Sequence, residues 1–72
     1  MYKNLKNEMT VRGVTQLQIA ELLDCRKATV NDKINGKSEF LYGEAYKIKH
    51  VLFPYANIEY LFDSDDGSQH SA

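Results

Sequence analysis

A chain of 72 residues, 43% of them hydrophobic, makes a single domain with a thin core. One cysteine excludes a disulfide framework, one cysteine with two histidines gives no zinc-ligand set, and no apolar run approaches the ~18 residues of a membrane span. The formal net charge of −1 argues against a nucleic-acid partner only as a total, because residues 1–50 hold all nine Lys and Arg against six acids, while residues 51–72 hold four acids and no base. No basic stretch leads into an apolar one near the start, so no secretory leader is expected, and a reduced, cytoplasmic setting fits.

Helical spacing recurs along the chain and clean alternation does not, which predicts an all-α bundle of about five short helices. The first runs from Tyr2 to Arg12, with Leu5 and Met9 four apart on one face and Gly13 as its stop. The second carries the clearest start. Thr15 and Gln18 form a T-x-x-Q capping box, and Val14 with Ile19 makes the matching hydrophobic staple. Ile19, Ala20, Leu22 and Leu23 supply its buried side, and it should stop at Asp24–Cys25. The third runs from Lys27 to Asn35. Val30 and Ile34 are its core stripe, Ala28, Asn31, Asp32 and Asn35 face away, and Gly36 suits the left-handed position after it. The fourth runs from Tyr42 to Phe53. Tyr42, Ala45, Ile48 and Leu52 keep a three/four spacing that reads as its core stripe, Phe40 precedes it as a core candidate, and Pro54 ends it. A last turn, Asn57 to Phe62, carries Ile58, Leu61 and Phe62. Residues 63–72 are polar, acidic and small, and are expected to be a disordered tail. Asn35-Gly36 is also a hairpin signal, but no alternating apolar residues flank it.

The second and third helices, joined by a three- or four-residue turn, have the spacing of a helix-turn-helix. In that motif the first helix crosses the DNA backbone while the second lies in the major groove. The steep crossing needs a small residue at the contact, and Ala20 is placed for it, with Val30 packing from the other side. Asp24 stands in the turn, where aspartate enters the left-handed region more readily than most residues with a side chain. Thr15, Gln16, Ile19, Ala20, Leu23, Thr29, Val30, Asn35, Gly36 and Lys37 together resemble the pattern of the Cro and phage-repressor (XRE-type) helix-turn-helix family. "KINGKSEFLYGEAYKI" and "LFPYANIEYLF" are similar to the segments that follow it in phage and prophage members. The resemblance covers residues 2–62.

The resemblance implies a lambda-repressor-like DNA-binding domain over residues 1–62, with its helix-turn-helix core at 15–36. It implies a Cro-like repressor or related transcriptional regulator acting on a double-stranded DNA operator through the major groove. Gln16 would contact a phosphate. Lys27, Ala28 and Asp32 match the positions that reach base edges, with Asn31 assisting. Asn35, Gly36 and Lys37 would meet the backbone, and Arg26, in place of the usual Ser or Thr cap, would add a phosphate contact. Arg26, Lys27, Lys33 and Lys37 form the expected electrostatic footprint. A single module reads few base pairs, so a homodimer through the C-terminal helix is expected, with Tyr55, Tyr60 and Phe62 at the contact.

Two departures from the pattern bear on function. Asp32 puts a negative charge on the reading face, where it can accept from a cytosine amino group or repel a phosphate. Leu41 stands where a capping Thr is common. Cys25 reads as a packed thiol, and His50 and His70 as surface or tail residues without catalytic partners. Tyr42, Tyr46, Tyr55 and Tyr60 are better read as core and interface packing than as a stacking platform for single strands. Nothing points to an enzyme, a cofactor or a metal. The alternative is a protein-interaction module of the same fold, such as an antirepressor or an antitoxin component.

Overall fold

The computed structural model describes residues 1–63. Five helices follow in order: α1 Lys3–Arg12, α2 Gln16–Leu23, α3 Lys27–Ile34, α4 Tyr42–Leu52 and α5 Ile58–Leu61. There is no strand among the described residues. Residues 64–72, most of the expected acidic tail, lie outside them.

The helix ends follow from local chemistry. Gly13 closes α1 in the left-handed region at φ 73°. Thr15 caps α2 as a full capping box: its Oγ1 accepts from the Gln18 N–H at 3.2 Å, and the Gln18 Oε1 accepts from the Thr15 N–H at 2.7 Å. Asp24 ends α2 at φ 59°, the one residue with a side chain at positive φ among those described. Gly36 turns the chain out of α3 at φ 89°, and the Lys37 N–H donates to the Asp32 carbonyl at 2.9 Å. Neither Arg26 before α3 nor Leu41 before α4 offers a capping side chain. At α4 only the return half of the box exists, in which Glu44 Oε1 accepts from the Leu41 N–H at 3.0 Å.

The core gathers one or two residues from each helix and one from a connection: Leu5 and Met9, Ile19 and Ala20, Val30 and Ile34, Ala45 and Ile48, Leu61, and Phe53. No polar or charged side chain is buried among the described residues. Leu22, Leu23, Val14 and Cys25 pack against this set while partly exposed. The rings of Tyr2, Phe40 and Phe62 form a satellite cluster with centroids 5.2–5.8 Å apart. It ties the chain start, the α3–α4 connection and the end of α5 together. The Tyr2 N–H also donates to the Ile34 carbonyl at 2.9 Å, closing the end of α3.

The fourth helix departs from the expected core stripe. Tyr42 is 76% exposed and Phe53 is fully buried. Proline disfavours helical backbone at the residue before it. Phe53 accordingly leaves the helix at φ −133° and ψ 57°. Its side chain is freed from the register of α4 and joins the core, while Tyr42, at the first helical residue, lies at the edge of the Ala45–Ile48–Leu52 stripe and remains outside.

Candidate nucleic-acid interface

α2 and α3 pack more extensively on each other than any other two helices, joined only by Asp24, Cys25 and Arg26. Ala20, 2% exposed, and Val30, 0% exposed, lie in the core that the two helices share. A side chain larger than alanine at position 20 would have to push the helices apart. The left-handed Asp24 makes so short a turn feasible: the chain reverses there while the Cys25 N–H still reaches the Ala20 carbonyl at 3.0 Å.

With Val30 and Ile34 fixed inward, α3 turns Lys27, Ala28 and Asn31 to solvent, with Asp32 half-buried beside them. Asn31 is the hub of a polar cluster. Its Oδ1 accepts from Gln16 Nε2 at 3.1 Å and from Asn35 Nδ2 at 3.2 Å. The start of α2 is thereby locked to the middle and end of α3. The Asn31 amide nitrogen keeps both its N–H groups for another acceptor, and Gln16 keeps one. Arg26, Lys27 and Lys37 are exposed, and their side chains have no hydrogen bond or ion pair among the described residues. The Asp32 carboxylate likewise has none. Gln16, Arg26, Lys27, Ala28, Asn31, Asp32, Asn35 and Lys37 therefore all lie on α2, α3 or the turns that flank α3.

Lys33 does not belong with them, contrary to expectation. Its Nζ is 2.8 Å from Glu44 Oε1 and donates to the Glu39 carbonyl at 3.3 Å, and its side chain is only 13% exposed. The pair bolts α3 to α4 and is not available to a phosphate. Partial burial pushes the Glu44 carboxyl up, but the Lys33 hydrogen bond, the Leu41 N–H and the Lys33 charge outweigh it, leaving the group below its usual value. A carboxyl depressed on folding adds stability that is complete above its unfolded value, about 4.3, and is lost as pH falls through the folded value. Lys33→Met should therefore lower stability at neutral pH by about 1–2 kcal/mol, between the exposed and buried limits for an ion pair. Glu44→Gln should flatten the acid limb of the stability curve. Thermal melts between about pH 3 and 7 check both, and equal acid limbs in wild type and Glu44→Gln would remove the pair from the account.

The aromatics expected at a dimer contact are engaged within the chain. Phe62 belongs to the satellite cluster. The Tyr60 hydroxyl donates to Glu8 Oε2 at 3.1 Å, which raises its pKa, and the Asn4 amide donates to the Tyr60 carbonyl at 2.9 Å. The Arg12 guanidinium lies 4.3 Å from the Tyr55 ring centre. Together these fasten the C-terminal segment to α1.

No group of three or more His, Cys, Asp or Glu side chains is placed to hold a metal ion among the described residues, and no helix among them is long and apolar enough to cross a membrane. No protein-family model, curated protein or solved structure matches the chain.

Proposed function

We propose that this protein is a sequence-specific, double-stranded DNA-binding transcriptional regulator of Cro-like phage or prophage type, acting in the cytoplasm as a homodimer on its operator. α2 and α3 are its helix-turn-helix, and α3 is the helix that enters the major groove. The observation that carries this reading is the convergence on one helix pair of a locked Gln16–Asn31–Asn35 cluster with three unpaired cations, Arg26, Lys27 and Lys37. A structural surface has no need to hold free amide donors in fixed positions beside unpaired positive charge. A DNA-reading surface needs both, since phosphate contacts set the register and base contacts carry the sequence. Arg26 beside the uncapped first turn of α3 adds charge where open backbone N–H groups already favour an anion.

Roles divide by position. Arg26, Lys37 and the remaining donor of Gln16 hold phosphates, with Asn35 supporting the backbone contact. Lys27 and Asn31 reach base edges, Lys toward guanine and Asn toward adenine, with Ala28 as an apolar neighbour for a thymine methyl group. Asp32 favours the second reading, a protein-interaction module such as an antirepressor or antitoxin component, because a carboxylate among phosphates is repulsive. Selection of bound duplexes from a random pool, followed by fluorescence anisotropy on the winners, tests the proposal. An enriched motif supports DNA reading. A pool that stays random at every salt concentration hands the surface to a protein partner.

A further inference from the structure

The outward face of α4 carries a column of stacked rings that the fold does not use. Tyr42 and Tyr46 lie with ring centres 6.5 Å apart and planes 29° from parallel, and Tyr46 and His50 with centres 5.6 Å apart and planes 10° from parallel. Tyr42 is 76% exposed, Tyr46 51%, and Leu41, at the helix N-cap, 65%. Leucine at that position forgoes a capping bond and also shows its side chain to water, so it serves neither the helix end nor the core. Gly43 sits between the two tyrosines, and a side chain built there would meet nothing within 4 Å. The face is therefore a ridge of rings beside an open notch.

We infer that this face is a self-association surface, on which a second copy of the chain packs α4 against α4 in antiparallel fashion about a two-fold axis. The antiparallel arrangement follows from charge and shape. Glu39 stands before the start of α4 and Lys47 at its middle; both are exposed, and neither side chain has an ion-pair partner among the described residues. Reversing one helix on the other brings each Glu39 toward the Lys47–His50 stretch of the partner and opposes the two helix dipoles favourably. The same register seats Tyr46 of each copy in the Gly43 notch of the other, a self-complementary contact of the kind a two-fold axis requires. A single strand of nucleic acid fits less well. A stacking platform sets its rings in a positively charged groove, whereas this face has Lys47 as its one exposed lysine, with Glu39 nearby. Lys49, the other cation on the helix, is half-buried and donates to the Pro54 carbonyl at 3.1 Å.

This inference does not depend on DNA binding and is tested on the protein alone. Sedimentation equilibrium between about 1 μM and 1 mM should show a monomer–dimer equilibrium. Tyr46→Glu should raise the dissociation constant about a hundredfold or more, because the substitution counts twice at a two-fold contact. Gly43→Gln should weaken association similarly by filling the notch. It should leave the melting temperature of the monomer unchanged or higher, since a glycine inside a helix is replaced where there is room. Glu39→Lys should weaken the dimer, and adding Lys47→Glu to the same chain should restore it. A wild type that stays monomeric throughout, or a dimer indifferent to Tyr46→Glu and Gly43→Gln, overturns the inference. Binding of oligothymidylate to a monomer, lost in Tyr46→Ala, would do so too and would assign the face to single strands.

Discussion

Replacing Phe53 by alanine should lower stability by about 3–5 kcal/mol, the usual cost of removing a fully buried aromatic side chain. At about 0.05–0.15 kcal/mol per residue, a domain of this size has only some 4–11 kcal/mol in total, so the variant should lose a large share of its folding free energy and unfold at a much lower urea concentration. Phe53 is completely buried and belongs to a core that draws only one or two residues from each helix. So small a core has little else to collapse into the gap. Tyr42→Ala is the control. The sequence pattern alone gives Tyr42 the core place, but it is 76% exposed, so its loss should change stability by less than about 0.5 kcal/mol. Urea titrations followed by circular dichroism separate the two. Similar midpoints for both variants would contradict the assignment of the core.

The second large effect separates reading from holding. Lys27→Ala should cost about 1–3 kcal/mol on the preferred duplex and relax preference at one base pair, a guanine position. Lys37→Ala should weaken every duplex by a similar factor and reduce the salt slope by about one. The two lysines stand at opposite ends of α3, and both are exposed and unpaired. What differs is what surrounds them. Lys27 begins the helix proposed to enter the groove, whereas Lys37 lies past the Gly36 turn, with its N–H anchored to the Asp32 carbonyl at 2.9 Å. Asp32→Asn is the informative third variant. A changed preferred base means that the carboxylate accepts from cytosine, and a uniform gain in affinity means that it only repels phosphate. Competition binding against the selected pool reads all three. The division of roles fails if Lys37→Ala changes the preferred sequence while Lys27→Ala leaves it alone.

Most of the helical framework was legible because its signals are local. The Thr15–Gln18 box, the glycines at 13 and 36 and the left-handed Asp24 each act within a few residues, and each appears where its chemistry puts it. Val30 and Ile34 fixed the inward side of α3, and with it the outward side that holds the candidate site. What escaped was set by partners distant in the chain. Nothing near Lys33 in sequence marks it as different from Lys27 or Lys37; Glu44, eleven residues on, takes it out of the basic surface. The hydrogen bond from the Gln16 side-chain amide to Asn31 spans fifteen positions and exists only because the two helices cross. The ring contacts of Phe62 with Tyr2, at the other end of the chain, and with Phe40 are likewise set by the fold. At Phe53 the information was present in Pro54, but the helical spacing of the preceding residues outweighed it.

The central claim, that α3 and its flanking cations hold and read duplex DNA, is tested most directly by the salt dependence of binding to the selected duplex beside a shuffled duplex of the same composition. Each neutralised phosphate contributes about −0.9 to the slope of log K against log salt, so contacts from Arg26 and Lys37 alone predict a slope of about −2 or steeper on both duplexes. At fixed salt the selected duplex should bind at least about a thousandfold more tightly than the shuffled one. Affinity that stays flat with salt, or is equal for the two duplexes, would contradict the account.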